Sequence, residues 1–443
     1  MKATRVSIPL AVVALMVSLG GLSAPARAEH AGNPVTAWNL IAVNTLVALP
    51  GPAGGAPPAA QINAGMTQGA VYDAVNAIEP KHHRPYLLKR RFSARASKDA
   101  AVATAAYGAL SNIVSTVPAG IAFPTRASVL QTLATQYAAS LAEVADGPFK
   151  TQGIAAGKAA ADAMIAARQA DGRFGPSQWV PNSAPGHWQP ITPTALDPTP
   201  WVGGVKPFLM TSSSQFRTAG PNALTSPEYA TDYNEVRVLG SATSVARTST
   251  QTYIAKWWQS TPVVSWNAVA RELIARYEVD TVDSARLLAM QNLSGADAAI
   301  NCWNDKYYWD FWRPGNAIAR AGEVGNPATE VEPGWAALIT APYPEHPSGH
   351  ICLDGAHTRV LQMFFDTDAP NGGFQITSIS GLLGASDPKT RTFGSFSQAI
   401  AEVTEARIWA GLHFRTADVQ GRLLGWNVAD YAAHNYFQPV GVG

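Results

Sequence analysis

The chain has 443 residues, of which 47% are hydrophobic and 14% are charged. This length allows one large or two medium-sized domains with a sizeable buried core. The formal net charge of +1 argues against a general binder of nucleic acid or anionic membrane, because such proteins usually carry a clear basic excess. Any selectivity for anions must therefore come from a local cluster of positive charge.

The N-terminus has the pattern of a secretory signal peptide. Lys2 and Arg5 supply positive charge, residues 8–22 are apolar, and Ala-Arg-Ala at 26–28 fits a cleavage position. A membrane anchor is the alternative, but the apolar stretch is short and its small-residue end favours cleavage. We therefore predict a signal peptide over residues 1–28 and an exported protein, either periplasmic or extracellular.

The rest of the chain contains no window of about 18 uncharged apolar residues, so we expect a soluble mature protein without a membrane span. Cys302 and Cys352 would meet an oxidising compartment after export. The sequence leaves two alternatives open for them, a disulfide bond and a pair of buried free thiols.

Helical periodicity dominates the first part of the mature chain. Apolar residues recur at three-to-four spacing in five segments, at residues 35–48, 59–78, 97–114, 125–144 and 148–169. Ser97 precedes an Ala-rich run, as a helix-capping residue would. Because alternating strand patterns are scarce, we predict an all-α protein whose N-terminal helical bundle spans residues 29–170.

Residues 171–226 are rich in Pro, Gly, Ser, Asn and Trp and show little periodicity. A long irregular segment is unusual in a compact domain unless it packs over a functional face. Several side chains could anchor it, namely Trp179, His187, Trp188, Trp201 and Phe208. We therefore expect an ordered cover segment rather than a mobile linker.

Helical patterns return after residue 226 and continue almost to the C-terminus. They cover residues 227–239, 248–259, 264–277 and 284–312, a helix that opens near Ser348, and a last pair at 393–412 and 416–436. The sequence therefore predicts a second helical bundle over residues 227–443. This bundle contains three segments whose residues could bind a ligand or catalyse a reaction.

The first of these segments reads Lys-Tyr-Tyr-Trp-Asp-Phe-Trp-Arg-Pro over residues 306–314. On one continuous helix, Lys306 and Arg313 lie two turns apart on the same face, so both cations can converge on one site. Pro314 would then end the helix. For this segment alone, a solvated face with extended cations is the better interpretation.

The second segment is Pro-Ser-Gly-His at residues 347–350. A helix start offers unpaired backbone N–H groups and the positive end of the helix dipole. Ser348 can donate its hydroxyl to a bound oxygen, and Gly349 lets an anion approach the backbone. His350 can transfer protons near neutral pH. An ordinary capped helix with a structural His is the alternative.

The third segment contains Arg407 and His413, which face the same side if the helix persists or bends slightly. Gly411 between them would allow a helix or an anion to come close. A His with a free ring nitrogen can attack phosphorus or coordinate a metal centre, although a core position is the commoner fate of a lone His.

The three segments together supply three cations, hydroxyl and amide donors, and two imidazoles. A highly charged tetrahedral oxyanion needs charge neutralisation, donors for its oxygens and one apical partner. The combination therefore indicates an oxyanion pocket.

This ordered set resembles the superfamily of vanadium-dependent haloperoxidases and phosphatidic acid phosphatase type 2 enzymes. Its signature reads Lys-x6-Arg-Pro, Pro-Ser-Gly-His and Ser-Arg-x5-His-x3-Asp. The resemblance spans residues 303–418, and residues 70–77 also look like the N-terminal bundle of bacterial haloperoxidases. Two positions depart from the signature. Ala406 replaces its Ser, and Asp418 follows His413 by five residues rather than four, which puts in doubt its role in orienting that His.

The resemblance implies one vanadate per chain and a role for each matching residue. The side chains or amides that would bind its non-apical oxygens are Lys306, Arg313, Ser348, Gly349 and Arg407. His413 would bond the vanadium, or attack phosphorus in a phosphatase. His350 would act as acid and base, and Lys306 would polarise the peroxide. The implied partners are hydrogen peroxide, a halide and an organic acceptor, with no nucleic acid or membrane and with homo-oligomerisation left open.

Trp303 and Tyr343 favour the peroxidase interpretation, because fungal chloroperoxidases carry aromatic residues at matching positions beside the vanadate. We assign these two residues to a halide pocket. We therefore predict a vanadium-dependent haloperoxidase that oxidises halide with hydrogen peroxide to a hypohalous acid equivalent. The alternatives are a secreted acid phosphatase that works through a phosphohistidine, and a non-catalytic oxyanion-binding protein.

Overall fold

The computed structural model describes residues 32–79, 83–177, 179–192 and 194–441. The predicted signal peptide at residues 1–28 lies outside them. The described residues form 13 α-helices and two short β-strands, which confirms the predicted all-α class. None of the helices in these ranges has the length and apolar character needed to cross a membrane.

Five helices precede the irregular segment. They are α1 (Pro34–Val47), α2 (Pro57–Ile78), α3 (Lys98–Ser115), α4 (Arg126–Ala142) and α5 (Pro148–Ala167). Proline begins α1, α2 and α5, where its fixed φ suits the first turn and its missing N–H would have had no helical partner. Ser97 caps α3 as predicted, because its hydroxyl accepts the amide N–H of Ala100 at 3.1 Å.

Eight helices and the two strands follow the irregular segment. They are α6 (Pro227–Leu239), α7 (Ser249–Trp257), α8 (Pro262–Arg276), α9 (Thr281–Trp309), α10 (Pro314–Ala319), α11 (Gly349–Phe365), β1 (Phe374–Thr377), β2 (Thr390–Phe393), α12 (Phe396–Trp409) and α13 (Arg415–Asn435). The two strands form an antiparallel hairpin that the sequence pattern did not predict, since each strand has only four residues. Phe374 and Phe393 pair across it and bury their rings in the core.

The long helices α2 and α9 lie at the centre of the fold. Every residue of α2 after Pro57 is buried, and α9 is buried along most of its length up to Lys306. One continuous hydrophobic core contains side chains from eleven of the described helices, on both sides of the irregular segment, and α6 and α10 contribute to a second cluster. Because this core crosses the predicted boundary at residues 171–226, the division into two domains stays a prediction.

The irregular segment is fixed to α9 by a buried carboxylate. Asp297 accepts the backbone N–H groups of Phe208, Leu209 and Met210 at 2.7, 2.7 and 2.8 Å. All five expected anchors are buried or make further contacts. Trp188, Trp201 and Phe208 are buried, and the ring of His187 contacts Asp310 at 2.9 Å. Trp179, the fifth, donates its indole N–H to the same Asp310 at 2.8 Å.

The same arrangement occurs on α2, in the stretch that resembles bacterial haloperoxidases. Asp73 accepts the backbone N–H groups of Tyr86, Leu87 and Leu88 at 2.8, 2.7 and 2.9 Å. The Tyr86 hydroxyl then donates to the carbonyl of Phe208 at 2.7 Å, so the two anchored segments contact each other. Residues 70–77 therefore have a structural role.

Helices α11 and α13 pack closely enough to fix the start of α11. A Cβ at Gly425 would lie 2.3 Å from the carbonyl oxygen of Cys352, so only glycine fits at this crossing. Cys302 and Cys352 are both buried free thiols, which decides between the two alternatives for these residues.

Candidate active site

The chain turns sharply between Lys306 and Arg313. Helix α9 ends at Trp309, and Asp310 adopts the left-handed conformation with φ +46°. The prediction of one continuous helix that carries both cations is therefore wrong, and Pro314 begins α10 instead of ending α9. The two cations nevertheless converge, because Lys306 Nζ and Arg313 Nη2 donate to the same carbonyl of Pro344 at 3.0 and 3.3 Å.

Lys306 is fully buried and holds the loop that precedes α11. Its ammonium donates to the carbonyls of Pro344, Glu345 and Pro347 at 3.0, 3.0 and 2.5 Å. An ammonium group has three protons, so all of its donors are in use. Burial lowers the pKa of Lys306 to about 8.

The start of α11 presents polar groups with few protein partners. Ser348 lies at the N-cap position, and its buried hydroxyl has no hydrogen-bond partner among the described residues. Its backbone N–H donates to the carbonyl of Ala417 at 3.0 Å, which fixes the turn. Gly349 is the first helical residue, and a Cβ there would lie 3.0 Å from the ring of Trp303. The helix start is therefore closely enclosed.

His350 follows on the first turn of α11 and is partly buried. Its Nε2 lies 3.1 Å from the carbonyl oxygen of Ser260. Since a carbonyl only accepts, Nε2 carries the proton and Nδ1 is the acceptor of the neutral ring. Burial and the positive charge of Arg407 lower the pKa of His350 to about 3. The ring is therefore neutral at pH 7.

Arg407 and His413 lie on different elements. Helix α12 ends at Trp409, and Gly411 turns the chain with φ +73°, where a Cβ would lie 2.5 Å from the carbonyl oxygen of Gly240. The expected persistent or slightly bent helix is wrong, and His413 lies in the connection before α13. Arg407 donates to the carbonyl of Trp258 at 3.2 Å, while its buried Nε has no partner among the described residues.

His413 contacts two charged side chains. Its Nε2 lies 3.2 Å from Nη1 of Arg313, and its Nδ1 lies 2.9 Å from Oε1 of Glu345. Burial lowers the pKa of His413 well below its usual value, and Arg313, Lys306 and Arg407 lower it further. Burial also raises the pKa of Glu345 to about 8, against the opposing charges of Arg313 and Lys306.

Asp418 does not orient His413, as the signature would imply for its Asp. The imidazole bonds to Glu345 instead, and both carboxyl oxygens of the buried Asp418 lack a hydrogen-bond partner within the described ranges. Burial raises the pKa of Asp418 well above its usual value, and the Ser348 hydroxyl and the nearby charge of Arg407 oppose that rise.

The two aromatic residues assigned to a halide pocket lie together beside Lys306. The rings of Trp303 and Tyr343 are 5.2 Å apart, and Lys306 Nζ lies 5.3 Å from the centre of the Tyr343 ring. Asp197 from the irregular segment accepts the indole N–H of Trp303 and the hydroxyl of Tyr307, both at 2.9 Å. The irregular segment thus fixes the indole of Trp303, and the assignment of a halide pocket stays a prediction.

Sequence reasoning gave no role to Asp197 and no definite role to Glu345. Glu345 directly precedes the His-Pro-Ser-Gly-His stretch, and this position was its only signal. Asp197 had none, because it lies 106 residues before Trp303 in a segment without periodicity.

Comparisons with known proteins show which family this chain resembles. Residues 286–441 match the family model of the VCPO second helical-bundle domain. The vanadium chloroperoxidase of Curvularia inaequalis is 26% identical over an alignment of 200 residues, and the match covers 38% of this chain and 32% of that enzyme. The chain is a relative of the vanadium haloperoxidases.

Solved structures of vanadium haloperoxidases share the fold of nearly the whole chain. The first bacterial vanadium-dependent iodoperoxidase superimposes with a TM-score of 0.69 at 20% identity, covering 93% of this chain and 97% of that one. A holo-type bacterial vanadium-dependent chloroperoxidase superimposes with a TM-score of 0.66 at 16% identity, covering 88% and 93%. The haloperoxidase fold therefore includes the N-terminal helices as well as the matched domain.

The residues present fit a tetrahedral oxyanion such as vanadate. Within the described residues, Nε of Arg407 is a buried donor without a protein partner, and the Ser348 hydroxyl interacts only with the Asp418 carboxyl; both lie next to a helix start and two further cations. Two buried carboxyl groups lie in the same region, but their raised pKa values favour the neutral forms, which do not repel an anion.

Proposed function

We propose that this chain is a vanadium-dependent haloperoxidase that oxidises a halide with hydrogen peroxide to a hypohalous acid equivalent. The observation that carries the proposal is the set of buried donors beside His413, whose Nε2 faces Arg313 across 3.2 Å. Such a pocket provides charge, hydrogen-bond donors and one apical nitrogen for an oxyanion. The relationship to vanadium haloperoxidases supports vanadate as that oxyanion.

Different side chains would bind different atoms of vanadate. Arg407, Ser348 and the N–H of Gly349 would bind oxygens, and His413 Nε2 would bond the vanadium. Bound vanadate would supply a Lewis acid that activates peroxide for attack by halide. Lys306 supplies positive charge, but it must release one of its three carbonyl contacts before it can donate to another oxygen.

His350 would move the protons of the reaction. The carbonyl of Ser260 holds the proton of this ring on Nε2, which leaves Nδ1 as the base. The negative charge of a bound oxyanion would raise the low pKa of this neutral ring, and Nδ1 would then accept a proton from hydrogen peroxide and return it later. Trp303 and Tyr343 would offer the halide an aromatic surface close to Lys306.

The response to vanadate tests the proposal. Purified protein freed of bound oxyanion is assayed for halogenation of a phenol dye with peroxide and iodide, bromide or chloride, with and without vanadate. We expect halogenation only with vanadate, and loss of it in His413→Ala. Arg359→Gln, which removes a cation from the outer part of α11 where Arg359 pairs with Asp430, should retain activity.

Hydrolysis of a phosphomonoester is measured on the same preparations. Phosphatase activity that vanadate inhibits, together with no halogenation under any halide, would replace the proposal by the acid phosphatase alternative. Phosphate binding without any turnover would support a non-catalytic oxyanion-binding protein.

We also propose that the protein is exported through its N-terminal segment. Lys2, Arg5 and the small residues at 26–28 support this proposal. Determination of the N-terminus of protein recovered outside the cytoplasm tests it. We expect the mature chain to begin at Glu29, and an intact Met1 would contradict the proposal.

A further inference from the structure

We propose that Glu345 is a positioning residue that keeps the proton of His413 on Nδ1, so that the lone pair of Nε2 can bind the oxyanion once Arg313 releases it. This inference rests on the proposed role of His413 and assigns to Glu345 the task that the family signature gives to an Asp after the His.

The contacts of the imidazole determine its tautomer. Nη1 of Arg313 lies 3.2 Å from Nε2, and a guanidinium can only donate. Nε2 must therefore present its lone pair, so the proton of the neutral ring lies on Nδ1. That N–H donates to Oε1 of Glu345 at 2.9 Å. Both ring nitrogens thus have partners that require the same tautomer.

Glu345 also fixes the backbone beside the imidazole. The same Oε1 accepts the N–H of Phe414 at 3.0 Å, so one oxygen holds both the ring and the residue that follows it. The side chain of Glu345 is only 1% exposed, which excludes competition by water. Rotation of the His413 ring would therefore break a buried hydrogen bond, at a cost that water cannot offset.

Glu345 is itself held from two sides. Its backbone N–H donates to the carbonyl of Phe311 at 2.9 Å, and its own carbonyl accepts from Lys306 Nζ at 3.0 Å. It precedes Ser348 by three residues, so one short loop links the imidazole, the ammonium and the start of α11. An acceptor oxygen that takes the second N–H of a ligating His fixes the orientation of its ring, and Oε1 of Glu345 serves as that acceptor.

The test begins with the protein free of oxyanion. Nitrogen-15 NMR of labelled histidines reports which ring nitrogen of His413 is protonated, and His413→Gln identifies its signals. We expect the Nδ1–H form in the wild type and in Glu345→Gln, because the Gln amide oxygen can still accept. Glu345→Leu removes the acceptor, so we expect a mixture of tautomers.

Vanadate affinity is then measured by vanadium-51 NMR on the same proteins. We expect Glu345→Leu to weaken binding about 10- to 100-fold, the usual effect of losing the partner of a ligating His. Glu345→Gln should lose less. Asp418→Asn is the matched control, because it changes a buried carboxyl of the same pocket that makes no hydrogen bond to His413. It should leave the tautomer unchanged.

The outcomes separate this inference from the proposed function. A wild-type protein that does not bind vanadate contradicts the proposed function, while the tautomer measurements still decide the role of Glu345. An Nε2–H tautomer in the wild type overturns the inference even if Glu345→Leu does not fold. Equal losses of affinity in Glu345→Gln, Glu345→Leu and Asp418→Asn would also overturn it, since they would reflect charge alone.

Discussion

At the scale of single residues, the three cations of the pocket use their donor groups differently. Lys306 gives all three protons to loop carbonyls, and Arg313 donates to the carbonyls of Tyr343, Pro344 and Leu412. Arg407 has a buried Nε without a partner among the described residues. The protein itself therefore uses the donors of Lys306 and Arg313, whereas Arg407 retains a donor that could bind the proposed oxyanion.

This difference predicts that Arg407 contributes most directly to oxyanion affinity. Arg407→Gln should weaken vanadate or phosphate binding about 10- to 100-fold, the range expected when hydrogen bonds to a charged group are lost. Isothermal titration calorimetry at fixed salt measures the change. Arg359→Gln, which removes a cation paired with Asp430, is the control. Equal affinities in the two variants would contradict this assignment.

Two titratable side chains, Lys306 and Glu345, predict that the affinity for an anion changes with pH near 8. Burial lowers the pKa of Lys306 and raises the pKa of Glu345, each to about 8. As the pH rises through 8, Lys306 loses positive charge and Glu345 gains negative charge, so both changes oppose an anion. Sulfate, whose own charge is constant in this range, should bind more weakly at pH 9 than at pH 6.

Calorimetry across that pH range measures this effect. Glu345→Gln should retain the part that belongs to Lys306 and lose the rest. An affinity for sulfate that is unchanged between pH 6 and pH 9 in the wild type would show that neither group titrates there.

At the scale of elements, periodicity predicted most helices because each buries an apolar face, but it did not predict where helices end inside the site. The predicted helix 284–312 ends at Trp309, because Asp310 adopts a left-handed conformation. Glycine usually occupies such a position, and the Asp at 310 gave no sequence signal for it. The motif residues could be predicted, because cations, Ser and His carry recognisable chemistry. Asp197 and Glu345 could not, since their roles depend on contacts between segments distant in the chain.

Because Asp297 anchors the irregular segment, its substitution should lower stability and loosen that segment locally. Asp297→Ala leaves three buried N–H groups without an acceptor, and we expect a loss of about 2–4 kcal/mol in the free energy of unfolding. Hydrogen exchange should accelerate at residues 208–210. Asp73→Ala is the matched control, because it should accelerate exchange at residues 86–88 instead. Identical exchange patterns in both variants would exclude separate anchors.

The close crossing of α11 and α13 predicts sensitivity at Gly425. A Cβ there meets backbone at 2.3 Å, so Gly425→Ala must push the helices apart, and we expect a destabilisation of about 1–3 kcal/mol. Urea denaturation measures it. Gly334→Ala, where an added Cβ meets nothing within 4 Å, should change stability by less than about 0.5 kcal/mol. Similar values for the two would contradict the tight crossing.

At the scale of the whole molecule, the two predicted bundles share one interior. Gln61 of α2 donates to the carbonyl of Asn292 on α9 at 3.1 Å, and its amide oxygen contacts His357 of α11 at 2.9 Å. All three residues are fully buried. The N-terminal helices thus form part of the surroundings of α9 and α11, the helices that carry Lys306 and Ser348.

The shared interior predicts that the C-terminal part does not fold alone. A fragment of residues 227–443 would expose the apolar and amide surface of α9 that α2 covers, and buried polar groups such as Asn292 would lose their partners. We expect this fragment to aggregate or to lack a cooperative unfolding transition by circular dichroism, whereas residues 29–443 should unfold cooperatively. Co-expression with residues 29–226 should restore a folded complex. A monomeric fragment with a cooperative transition of its own would show that the bundles are independent domains, and the continuous core would then be a contact between two stable units.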